Sequence, residues 1–144
     1  MTSDPGSIFD RELYVSRLAR AKLSRPDILS RSVAAELSER LDPITRSFKR
    51  ACLITVDPDP VAAALRATGK VNIIKIIESA PSEILPVEAD EFDAVFNILD
   101  LHAVNDVPGA LIQMRRALKP DGLFIACLFA SQTLNELRQS WLEA

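Results

Sequence analysis

Glycine is scarce in this chain: four in 144 residues, at Gly6, Gly69, Gly109 and Gly122. None lies between Gly6 and Gly69, so the first apolar run, Ala51–Val56, is followed by Asp57-Pro58-Asp59-Pro60 and not by a glycine-rich loop. No Lys-Ser/Thr phosphate-binding loop occurs either. Histidine occurs once, at His102, which leaves no Ser-His-Asp or Cys-His nucleophile constellation. The two cysteines, Cys52 and Cys127, sit inside apolar runs and read as small buried hydrophobes. They offer neither metal-ligand spacing nor a disulfide framework. No apolar stretch approaches membrane-spanning length, and no apolar run follows a basic start, so neither an anchor nor a signal peptide is expected. The expected location is cytoplasmic. A net charge of −3 is too mild to point to nucleic acid.

What is present is an ordinary globular balance, 48% hydrophobic and 26% charged, in a length that suits one domain with a real core. Charge is uneven along it. Residues 1–50 carry ten basic and seven acidic side chains, and residues 51–144 carry seven and thirteen. A basic helical arm lying against an acidic domain accounts for this; contact with an acidic partner is the competing reading.

The pattern along the chain divides it into a disordered N-terminus (1–8), a helical arm (9–48) and an α/β domain (49–144). Asp10 can cap a helix over Arg11–Ser24, and Pro26 opens a second helix whose stripe is Leu29, Val33, Leu37 and Leu41. Ala51–Val56 reads as a buried strand. Asp59 then reads as cap and Pro60 as first residue of a short helix that Gly69 ends. Strands are expected at Val71–Ile77, Phe92–Leu99 and Leu123–Phe129. A helix is expected at Pro108–Leu118, a turn at Lys119-Pro120-Asp121-Gly122, and a last helix from Thr133, where Thr133-x-x-Glu136 makes a capping box. Strands that alternate with helices and are nearly all apolar predict a mostly parallel sheet covered on both faces.

Between residues 92 and 138 the pattern becomes specific. The runs Phe92-Asp93-x-Val95, Leu101-His102-x-Val104-Asn105-Asp106-x-Pro108-x-Ala110-Leu111, Leu118-Lys119-Pro120-Asp121-Gly122-x-Phe124 and Thr133-Leu134-x-Glu136-Leu137-Arg138 resemble class I S-adenosylmethionine (SAM) methyltransferases. Within that superfamily the chain is most similar to the branch holding BioC-like enzymes and a mitochondrial complex I assembly factor, and Phe9-Asp10-Arg11-x-Leu13 resembles the start of the latter group. The resemblance implies a truncated Rossmann-like methyltransferase fold behind two N-terminal helices. The implied strand order is Val71–Ile77, Ala51–Val56, Phe92–Leu99, Leu123–Phe129.

Three departures shape the functional expectation. The family's Asp-x-Gly-x-Gly-x-Gly loop falls here on Ile54, Val56, Pro58 and Pro60. Two prolines remove two N–H donors and fill the space with rings where the cofactor carboxylate would lie. The span from Ile77 to Leu85-Pro86 leaves no room for the strand whose end contacts the adenine. The chain also stops at Ala144, where family members generally continue.

Carried over residue by residue, the resemblance implies a vestigial cofactor site of Asp57, Glu78, Asn97 and Leu99. Glu78 stands where an acidic residue accepts hydrogen bonds from the ribose; a solvated strand end is the alternative. Asn97 and Leu99 fall in the methionine-side wall, and strand-end polarity explains Asn97 equally well. His102 is expected to fix the turn into the next helix, and Asp100 and Asp106 read as turn and cap residues.

The leading expectation is a degenerate, catalytically silent methyltransferase-like domain serving as a binding or assembly module. It has no catalytic residue, no metal and no cofactor. The alternative is a divergent SAM-dependent methyltransferase, active with a partner or with SAM in an altered pose. A fragment without independent role is a third possibility. The expected partner is a second copy or another protein, met through edge strand 123–129 or the C-terminal helix bearing Trp141, with no nucleic acid or membrane involved.

Overall fold

A computed structural model describes residues 7–22, 28–129 and 133–143. Helices α1 (Arg11–Ala21) and α2 (Ile28–Leu41) come first. Then follow β1 (Phe48–Thr55), α3 (Pro58–Ala67), β2 (Val71–Glu78), β3 (Phe92–Ile98), α4 (Val107–Ala117), β4 (Leu118–Cys127) and α5 (Asn135–Glu143). The four strands form one parallel sheet in the order β2-β1-β3-β4, as expected from the resemblance. The fold is Rossmann-like α/β.

Side chains alternate across β1, so its near-continuous apolar run feeds two cores. Leu53, with Phe96 of β3, faces Leu37 and Leu41 of α2 and Val61 and Leu65 of α3. Cys52 and Ile54 face Ala110 and Met114 of α4 on the other side. In α2 the inward stripe is Ser30, Ala34, Leu37 and Leu41, while Leu29 is exposed. A strict spacing of four drifts around a helix of 3.6 residues per turn, so the expected stripe could not stay on one face. Between β2 and β3, residues 79–91 contain no strand.

Several boundaries differ from expectation. Asp10 caps α1, accepting from the Leu13 amide at 2.9 Å. The helix ends at Ala21, and Ser24 and Pro26 lie outside the described residues, as do residues 1–6. Helix α3 begins at Pro58, with Asp57 and not Asp59 at the cap position, although its side chain makes no capping hydrogen bond. Pro58 fits the first position, and Pro60 at the third is tolerated because early helical N–H groups have no intrahelical partner. Helix α5 begins at Asn135, immediately after Leu134 at φ 58°, so Thr133 does not stand at the cap position.

The expected turn at Lys119–Gly122 lies inside β4, as a bulge. Pairing with β3 jumps from Phe92–Leu118 to Ala94–Leu123. Asp121, at φ 61°, takes the left-handed conformation, and Arg46 clamps it with 2.8 Å and 2.7 Å hydrogen bonds to its carboxylate and carbonyl. Gly122 is required for space: a Cβ there would lie 2.7 Å from Leu118 Cδ2 and 2.9 Å from the Lys119 carbonyl oxygen. Gly69 does take positive φ, 66°, and ends α3 as expected.

Gly122→Ala is expected to destabilise the protein by about 1–3 kcal/mol, the usual cost of forcing volume into a closed site. Urea unfolding measures this, and an unchanged midpoint would show that the bulge yields freely.

Candidate functional site

In open α/β sheets ligands bind at the carboxyl ends of the strands. Here the register sets Thr55 opposite both Glu78 and Ile98, so β2, β1 and β3 end in one row. Helix α3 starts three residues beyond Thr55, with proline at its first and third positions. Of the N–H groups that a helix start offers an anion, those two are missing. Val56 is buried in the turn, where a glycine would leave room for a ligand. The residues present therefore do not rebuild the donor cradle that a SAM carboxylate uses in the implied family.

Beside this turn lies a cavity of about 250 Å³ between the end of β2, the β2–β3 connector and the start of α4. Ile54, Ile77, Leu85 and Met114 give it an apolar floor, and Arg11, Glu78, Glu83 and Asp100 supply charge. Arg11 is only 8% exposed. Its guanidinium donates to the carbonyls of Ala103 (3.0 Å) and Ala80 (2.9 Å), linking the β2 exit to the turn after β3. Glu83 and Asp100 each stand 3.9 Å from it, and the Tyr14 ring lies beneath. A buried cation needs such compensation.

Glu83 is the second hub. Its carboxylate accepts from the amides of Asn105 (2.8 Å) and Asp106 (3.0 Å) and from the Asn105 side chain (3.0 Å). Burial works against its charge, but these donors and Arg11 outweigh burial and hold the carboxyl below its ordinary value. Asn105 Oδ1 in turn accepts from the backbone of Ile8 (2.8 Å) and Phe9 (2.7 Å). Asp106 caps α4 as expected, accepting from the Gly109 amide at 2.8 Å. Asp100 is buried and takes the Ser79 hydroxyl, which makes it more than a turn residue.

The four residues expected at a cofactor site do not converge. Glu78 lines the cavity, but its half-exposed carboxylate is paired with Lys22, just past the end of α1. Asp57 stands at the start of α3, away from the cavity wall. Asn97 is fully buried and its Oδ1 accepts from the Leu101 amide at 3.2 Å, holding the turn after β3. Leu99 takes φ 57° and is buried in the α2/α3 core. The residues the sequence reading missed are Arg11, Glu83 and Asp100. Arg11 lay in the Phe9-Asp10-Arg11 run, whose charge is unremarkable until the fold buries it.

Reactive groups are muted. His102 sits edge-on to Phe129, ring centroids 4.5 Å apart, and burial lowers its pKa against the pull of Asp100. Burial pushes the Cys52 thiol up to about 12 and also raises Cys127. Among the described residues no cluster of His, Cys, Asp or Glu could hold a metal.

Residues 32–126 match the family described as Methyltransferase domain. The chain belongs to the class I methyltransferase family. Its family relatives include the mitochondrial arginine-hydroxylase NDUFAF5 of Mus musculus, 34% identical over 93% of this chain and 46% of the relative. They also include the malonyl-[acyl-carrier protein] O-methyltransferase of Halorhodospira halophila, 28% identical over 81% of this chain and 47% of that protein. This family member thus spans slightly less than half the length of these curated relatives. A solved structure assigned as a SAM-dependent methyltransferase from Methanococcus maripaludis shares the fold. Its TM-score is 0.57 at 15% identity, covering 99% of this chain and 78% of that one.

The Glu83 carboxyl is held below its ordinary 4.5, so its contribution to stability is complete above that pH and fades as pH falls through the lower folded value. Glu83→Gln should cost about 1.5–3 kcal/mol at neutral pH, the worth of hydrogen bonds to a charged group. Its deficit relative to wild type should shrink on acidification. Chemical denaturation at pH 7 and below pH ~4 compares the two, and a deficit that grows in acid would contradict this sign.

Proposed function

We propose that this domain is a degenerate methyltransferase-like module that binds and helps assemble other proteins without methyl transfer. The observation that carries the reading is the start of α3. Proline at its first and third positions withdraws two donors from the cofactor carboxylate, and the acidic side chains Asp57 and Asp59 flank the same turn. The helix is intact, so the loop is rebuilt as an ordinary helix start. The likeness to NDUFAF5, a relative named as a hydroxylase and not as a methyltransferase, supports the part of this reading that omits methyl transfer. By analogy with the assembly factor branch, this chain would help mature a larger complex.

The second reading is a divergent SAM-dependent methyltransferase that takes its cofactor in an altered pose or with a partner. It draws on the cavity of about 250 Å³ still present at the carboxyl ends of the strands. The relative named as an O-methyltransferase supports it too. Isothermal titration with SAM and S-adenosylhomocysteine separates the two. No heat from a folded chain is expected; micromolar binding would give the second reading precedence.

The partner belongs to the same proposal. Exposed apolar side chains gather on the last two elements: Phe124 on β4, Leu128 and Phe129 just beyond it, and Leu137, Trp141 and Leu142 on α5, Trp141 being 78% exposed. We assign this surface to protein–protein contact, a second copy first. Light scattering at micromolar concentration should give a dimer that Trp141→Ser weakens; a monomer at that concentration would remove the self-association part.

No helix among the described residues is long and apolar enough to cross a membrane. The cytoplasmic address remains our proposal, against the mitochondrial relatives.

A further inference from the structure

Helix α1 lies across the carboxyl ends of β1, β2 and β3, and it is fastened there in an unusual way. Its one buried residue is charged, Arg11. Its apolar side chains seal poorly: Leu13 is exposed, and Tyr14 and Leu18 are only partly buried against the sheet core. Beneath the helix a groove of about 120 Å³ runs between Val15, Leu18 and Ala19 on one side and Val56 and Ser79 on the other. What holds α1 is a set of polar bolts at its two ends. At the start are the Arg11 bonds to Ala103 and Ala80 and the Asn105 clamp on Ile8 and Phe9. At the end is the Lys22–Glu78 pair. Even the main bolt is incomplete, because Arg11 Nε is buried without a hydrogen-bond partner and has the Glu83 carboxylate no closer than 3.9 Å.

We propose that α1 is a strap latched by the Arg11 guanidinium, which opens as a unit and uncovers the carboxyl-end cleft while the sheet stays folded. Elements with few buried apolar contacts open at lower free energy than the core. β1 and β3 are the opposite case, since their side chains are buried along most of their length. Opening would lift the guanidinium out of the cavity and leave the carboxylates of Glu83 and Asp100 facing it. The strap controls the cleft whether the domain binds proteins or a cofactor, so the inference does not depend on the binding-module reading.

Native-state hydrogen exchange on the full chain tests it. In the wild type, amides late in α1 should exchange at least about tenfold faster than those of β1 and β3, with intrinsic rates divided out. Arg11→Ala should speed α1 by about a further tenfold and β1 and β3 by no more than that same factor, since global unfolding also opens the latch, so the gap between helix and strands persists. Arg11→Lys, which keeps the charge but cannot span both carbonyls, should fall between. Exchange of α1 only together with the strands would overturn the strap, and that wild-type comparison decides even if a variant fails to fold. Unchanged exchange of α1 in Arg11→Ala would also overturn it, because the latch would then not be the guanidinium.

Discussion

A guanidinium buried where three parallel strands end must be compensated on every side, and much of the domain's local structure follows from that need. Arg11 gathers the carbonyls of Ala80 and Ala103 and the carboxylates of Glu83 and Asp100 from two separate stretches of chain. Glu83 then organises the start of α4 through Asn105 and Asp106, and Asn105 reaches back to the backbone just before α1. The N-terminal helix, the connector and the turn after β3 are therefore one electrostatic unit. Neutralising one member leaves its partners buried with unmatched charge, which costs more than the lost contact itself.

The same end of the sheet explains why the fold can persist while the donors at the α3 start change. Strand order and the α3 and α4 layers depend on apolar packing that does not involve the loop after β1. Prolines in the first turn of a helix do not weaken it, because those N–H groups are orphans already. Only a ligand needing the N–H groups registers their loss. Stability and the supply of N–H donors are separable here, and the prolines of the α3 start change the second without the first.

Among the described residues no strand pairs with the outer edge of β2 or of β4, and the two edges are managed differently. On β2, Ile73 is 58% exposed, but Lys75 stands mid-strand and its ammonium is held by the Pro86 carbonyl at 2.8 Å with Glu91 nearby. A central charge is a common guard against edge pairing. On β4 the Leu123–Cys127 stretch carries no charge, and exposed apolar residues continue beyond it into α5. This difference is the physical basis on which we propose β4 and α5 as the partner face.

Much of the scaffold was legible from residue order alone. β-branched runs marked the strands, Asp10, Asp106 and Gly69 marked helix ends, and the Leu101–Gly122 motif carried the family and hence the strand order. These are local signals, set by backbone preference and periodicity. The bounds that slipped did so where two local solutions compete, as with Pro58 against Pro60 for the first helical position. The bulge in β4 needed the partner strand, because only the β3 register shows that Lys119–Gly122 interrupts a ladder. The residues expected at a cofactor site do not meet in space: Asn97 and Leu99 turn inward, and Glu78 takes Lys22 as its partner. Arg11, Glu83 and Asp100 look like ordinary surface charges, separated by 72 and 17 positions in the chain. The sequence by itself determined which elements form and what the α3 start can no longer donate, since both depend on adjacent residues. Only tertiary structure decided which charges are buried together, because burial depends on what folds over them.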